Sequence, residues 1–153
     1  MEKHLLFLLS AVMINLPSFA QRIKQDKVPI AVVKAFENKF PGAKKTTWEM
    51  EKASEYEATF RIGSVEKSAN FSVDGNWLET ETEIHLAGLP QPIQQALKTQ
   101  FGGYKILEAS FLENVKDGLC YEVEVKKGKD TFDVLFSPSG KVISQKKTSK
   151  RTD

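Results

Sequence analysis

Apolar and polar positions along this chain follow one pattern twice. Val32, Ala35, Phe36 and Phe40 recur at the three- and four-residue spacing of a helix with one apolar stripe, while Lys34, Glu37, Asn38 and Lys39 face water. Ile93, Ala96, Leu97 and Phe101 repeat the stripe 61 positions later. Asp26 offers an N-cap and Pro29 an early helical position in the first copy, with Pro90 and Pro92 opening the second. Pro41-Gly42 and Gly102-Gly103 are the expected stops.

After each stop the period changes to two, the signature of half-buried strands. Thr46, Trp48 and Met50 answer Leu107, Ala109 and Phe111 as inward positions. Tyr56, Ala58, Phe60 and Ile62 answer Tyr121, Val123 and Val125, and Ala69, Phe71 and Val73 answer Phe132, Val134 and Phe136. Glycine turns follow at Gly63-Ser64 and Gly128-Lys129, and tight turns at Asp74-Gly75-Asn76 and Ser139-Gly140. A last strand is expected from about Trp77 to Ile84 and from about Lys141 to Gln145. The chain therefore reads as an α+β tandem repeat, each copy a helix followed by four antiparallel strands, with the helices on one sheet face and the other face wet. The expected division is a signal peptide over 1–20, repeats over 21–86 and 87–147, and a basic flexible tail over 148–153.

The leader reading rests on a short polar start, the apolar run Leu5–Leu9 and Ala11–Ile14, and small residues at Ser18-Phe19-Ala20. That run is shorter than the about 20 apolar residues of a spanning helix, so export with cleavage is expected. Lys and Arg number 22 against 20 Asp and Glu, a balance without the basic stripe of a nucleic-acid binder. The one basic cluster, Lys146-Lys147 through Lys150-Arg151, reads as a solvated terminus. Cys120 is the only cysteine, so no internal disulfide supports the fold. A lone half is marginal by surface-to-volume scaling, and the halves are expected to share a core or a sheet edge.

Candidate chemistry is sparse. In a regular strand, Trp77, Glu79, Glu81, Glu83 and His85 project from one face, but a single strand cannot close a cation's ligand shell. One His outside the leader and one Cys leave no evident Cys–His or Ser-His-Asp arrangement, and no phosphate loop or paired-Cys motif is present. No catalysis, metal or cofactor is expected. Function then falls to the wet face, which offers Glu55, Glu57, Thr59, Arg61, Ser68, Asn70 and Ser72, then Cys120, Glu122, Glu124, Lys126, Thr131, Asp133 and Leu135.

Val28-Pro29 with Phe40-Pro41-Gly42, Leu89-Pro90 with Phe101-Gly102-Gly103, and the turns at Asp74-Gly75-Asn76 and Ser139-Gly140 resemble the PepSY-like family, also described as β-lactamase-inhibitor-like. The resemblance covers about residues 28–146. It implies a β-lactamase-inhibitor-like fold in a periplasmic or secreted, non-catalytic protein, whose relatives in fold grip an enzyme with an exposed sheet and loops. The expected function is protein–protein recognition through the sheet face and hairpin loops, with another envelope or secreted protein as partner. Trp77, Glu79, Glu81, Glu57, Glu122 and Glu124 are the candidate binding residues. The alternative is an envelope protein that binds a small ligand or cation through Glu79, Glu81 and Glu83 or through a cleft between the copies.

Overall fold

The structure, a computed structural model, describes residues 21–148 apart from residue 53. The expected signal peptide and the end of the basic tail lie outside the described residues. A short strand β1 (Gln21–Ile23) leads through a single 3-10 turn to helix α1 (Ile30–Lys39). Strands β2 (Lys44–Lys52), β3 (Glu55–Ile62), β4 (Val65–Ser72) and β5 (Trp77–Glu83) follow. A second 3-10 turn, Leu86–Gly88, opens onto α2 (Gln91–Gln100). Strands β6 (Lys105–Asn114), β7 (Gly118–Lys127), β8 (Asp130–Phe136) and β9 (Val142–Lys147) complete the described elements.

All nine strands form one sheet in sequence order, each antiparallel to its neighbours. The halves therefore merge into a single sheet rather than standing as two four-strand units, and β1 adds an edge strand that the alternation did not reveal. β5 pairs with β6 from Glu79↔Asn114 to Glu83↔Ser110, so the halves do share a sheet edge.

The cores remain separate. Beneath α1, Val32, Val33 and Phe36 are buried against Trp48, Ala58, Phe60, Ala69 and Phe71. Phe36 is the hub, with edge-on rings at 5.2 Å to Trp48 and 5.0 Å to Phe60. Such arrangements add about 0.5–1.5 kcal/mol per pair beyond area burial. Beneath α2, Ile93, Ala96, Leu97 and Phe101 meet Ala109, Val123, Val125, Val134 and Phe136. Cross-strand partners share a face, and the row Ala58↔Ala69↔Thr80↔Glu113 carries the α1 side of the sheet over to the side that α2 covers. Both helices thus lie on one face, and the opposite face is open.

Local differences from the alternation have local causes. Asp26 lies in the first 3-10 turn, and Pro29 itself is the N-cap of α1, without a side-chain cap bond. A register shift between Ile106 and Glu108 turns Leu107 outward, 39% exposed, and Ile106 packs against the core instead. Lys146 and Lys147 belong to β9 rather than to a frayed tail, and Lys147 Nζ lies 2.7 Å from Asp130 Oδ1.

Candidate binding face

Sheet order decides which polar side chains meet on the open face. One row runs Glu49↔Glu57↔Asn70↔Glu79↔Asn114, and the next runs Thr59↔Ser68↔Glu81↔Leu112↔Cys120. A third joins Glu83, Ser110, Glu122, Leu135 and Ser144, and a fourth Glu108, Glu124, Asp133 and Lys146. Glu57, Glu79, Glu81, Glu122 and Glu124 thus share this face. Trp77 does not. A register shift between Asn70 and Phe71 places Trp77 opposite Phe71, on the helix side, where it packs against the first core. Its indole N–H donates to Thr80 Oγ1 at 2.9 Å, and Lys39 Nζ sits 3.9 Å from its ring centroid.

The open face is less wet than alternation alone implies. Ser110, Leu112 and Cys120 are buried there, Cys120 completely. Asn114 Nδ2 donates to Cys120 Sγ at 3.4 Å, and burial pushes the thiol up. His85 is exposed beyond the end of β5. A depression of about 220 Å³ opens beside these residues, lined by Glu81, Glu108, Ser110, Glu122, Glu124 and Asp133.

Glu122 is the electrostatic centre of this region. Desolvation first, then the charges of Glu81, Asp133 and Glu79, raise its carboxyl to about 7, and Lys146 partly offsets them. Glu79 is also raised, by burial and then by Glu81, Glu51, Asp117 and Glu55. Like charges directly opposite one another oppose pairing, yet Glu124 stands between Glu108 and Asp133, and Glu49 faces Glu57. These carboxylates are not arranged as a metal site: no group of three or more His, Cys, Asp or Glu among the described residues is placed to hold an ion. The crowding is a cross-strand property, which no pattern along the chain could reveal.

A second concavity lies on the helix side, over the seam between the cores. It has a volume of about 530 Å³ and runs from Lys39 and Phe40 at the end of α1 to Gly88 before α2. Its floor is Lys67, Thr80, Thr82, Ile84, Phe111, Glu113 and Tyr121. Among the described residues no helix is long and apolar enough to cross a membrane.

One antiparallel sheet carrying both helices on the same face defines the class. The chain belongs to the family described as "Putative beta-lactamase-inhibitor-like, PepSY-like", whose model matches residues 17–61 and again 54–144, in keeping with the tandem repeat. Its fold is similar to that of a BLIP-like protein from Bacteroides fragilis, 26% identical with a TM-score of 0.68, over 80% of this chain and 89% of that one. A DUF2874 family protein from Bacteroides uniformis is 20% identical with a TM-score of 0.70, over 78% and 88%. A "putative periplasmic" protein from Bacteroides eggerthii shows the same identity, TM-score and coverage, 20%, 0.70, 78% and 88%. Comparison with curated proteins gives no match.

Proposed function

We propose that this protein is an exported, non-catalytic binding module that recognises another envelope or secreted protein through the open sheet face. The observation that carries this reading is the concentration of like charge around Glu122, whose carboxyl is held at about 7 by burial and by Glu81, Asp133 and Glu79. Folded domains depart from favourable local electrostatics mainly where function requires it. A cationic loop seated on this face relieves the repulsion and gains charge-assisted hydrogen bonds. Family membership and the likeness to a BLIP-like protein support recognition of a protein. The likeness to a protein described as periplasmic supports an envelope location, and so does the leader expected over residues 1–20.

In this reading Glu57, Glu79, Glu81, Glu122 and Glu124 form the contact surface, and the repeats over 21–86 and 87–147 contribute different halves of it. Trp77 contributes from the helix side by holding the edge of the first core. The test is affinity capture from an envelope extract with wild type, with Glu79→Lys/Glu124→Lys, and with a control pair distant from this face, Glu37→Lys/Lys98→Glu. Loss of the same partner only in the first variant supports the assignment. Equal recovery by all three proteins refutes it.

A further inference from the structure

We propose that the helix-side cleft between the two halves is a binding site for a small amphipathic carboxylate, an apolar chain or ring system bearing one negative charge. The site lies on the face opposite the carboxylate cluster and does not depend on protein recognition there.

The seam creates the site. Each helix covers its own core, and between them a stretch of the helix-side face of β5 and β6, around Thr82 and Phe111, belongs to neither core. Thr80 and Thr82 occupy that side of β5, where the neighbouring strands carry core residues. Phe111 lies opposite Thr82 and belongs to neither core cluster. Its ring leans on Tyr121 with centroids 5.4 Å apart, so two aromatic faces floor an open cleft. Phe40 and Ile84 add further apolar surface to its lining. A volume of about 530 Å³ falls within the about 300–1,000 Å³ of small-molecule sites.

Charge selects the ligand. Lys67, directly opposite Thr82 on the neighbouring strand, donates to Thr82 Oγ1 at 2.7 Å, which holds its ammonium in the cleft lining. Lys39 is held at the wall by the Trp77 ring, 3.9 Å from its centroid. Neither lysine forms an ion pair with another described residue. Glu113 lines the same cleft and leaves one net positive charge among the three. That balance suits a monoanion and disfavours a multiply charged phosphate ester. The carboxylate lies between the two ammonium groups, and its apolar body covers Phe111 and Tyr121.

The probe is decanoate below its micellar concentration, titrated calorimetrically into the full chain and into Lys67→Met, Lys39→Met and Glu113→Gln, with decanol as the neutral counterpart. Wild type binds one decanoate per chain with a rise in Tm. Each lysine variant stays folded, shown by a cooperative melt without ligand, and binds about tenfold more weakly, the scale of one charge-assisted hydrogen bond. Glu113→Gln binds more tightly, and decanol at least tenfold more weakly than decanoate. The variant Glu79→Lys/Glu124→Lys binds decanoate normally, which separates this site from the open face. No binding by folded wild type at millimolar decanoate overturns the proposal. So does equal affinity for decanoate and decanol, or equal affinity in the lysine variants.

Discussion

Replacing Gly75 or Gly140 with alanine tests how each helix is seated on its sheet. Both glycines have positive φ, +84° and +82°, in the turn before the last strand of each half. The turns are built alike. Gly75 N donates to Ser72 O at 2.8 Å and Gly140 N to Ser137 O at 2.9 Å, and the serine hydroxyls accept from Asn76 N and Lys141 N, both at 3.2 Å. A Cβ on Gly75 falls 2.6 Å from Ala31 O, and one on Gly140 falls 2.6 Å from Pro92 O and 3.1 Å from Pro92 Cβ. These carbonyls belong to the first turns of α1 and α2, so relief requires moving a helix. The left-handed conformation costs an alanine about 1–2 kcal/mol, and forced overpacking adds about 1–3 kcal/mol. The restricted unfolded chain returns about 0.4–1 kcal/mol. The expected loss is about 2–4 kcal/mol for each variant, with Gly140→Ala the larger. Gly63→Ala is the control: its φ is +62°, but nothing lies within 4 Å of the added carbon. It carries only the conformational part, about 1 kcal/mol net. Urea unfolding followed by far-UV circular dichroism, with m-values compared, measures all three. If Gly75→Ala and Gly140→Ala lose no more than Gly63→Ala, the turn-to-helix contact does not hold the helices.

Three further outcomes are expected. Glu122 titrates at about 7 in the folded protein against 4.5 as its ordinary value, so the native state holds the extra proton between them and stability falls as pH rises through that window. Glu122→Gln removes this fall, an effect of about 1–3 kcal/mol after allowance for solvent screening, and urea midpoints at pH 5 and pH 8 that shift equally in both proteins would exclude it. Cys120, fully buried with its thiol pushed up, does not react with a thiol reagent in the native protein and becomes reactive in denaturant; a disulfide-linked dimer on a non-reducing gel of native protein contradicts this. A fragment of residues 21–86 exposes the β5 edge that pairs with β6, and it melts well below the full chain; a cooperative melt at the full-length Tm shows that the shared edge is dispensable.

Positions whose partners are set within one repeat were legible in the sequence. The Phe36–Phe40 and Leu97–Phe101 stripes became the helix faces of the two cores, and Gly75 and Gly140 marked turns that only glycine fits. Positions governed by a single inserted residue were not legible. Leu107 and Trp77 both sit beside register shifts, and one extra residue exchanges the faces of everything on one side of it. Charge crowding was hidden for another reason. Glu81, Glu122 and Asp133 come from β5, β7 and β8, and their proximity follows from sheet order. A cleft between the copies was expected but not its lining, because Lys39, Lys67 and Phe111 gain meaning only once part of β5 and β6 is known to lie outside both cores.

Duplication explains why one sheet carries two unlike concavities. Each copy contributes a helix that covers its own core, so joining the copies through β5 and β6 leaves a stretch on the helix side that belongs to neither core. The cleft is therefore a consequence of the tandem arrangement, and no single copy contains it. On the opposite side the same junction brings Glu79 and Glu81 of the first copy within electrostatic range of Glu122 in the second. Both concavities thus depend on the register between β5 and β6. A slip of one residue there exchanges the faces of Thr82 and Glu81, placing a carboxylate in the helix-side cleft and removing it from the open face. Substitutions that weaken this pairing, such as Ser110→Pro in the centre of the sheet, are expected to abolish decanoate binding and partner capture together. Loss of one with retention of the other shows that the two faces are maintained independently.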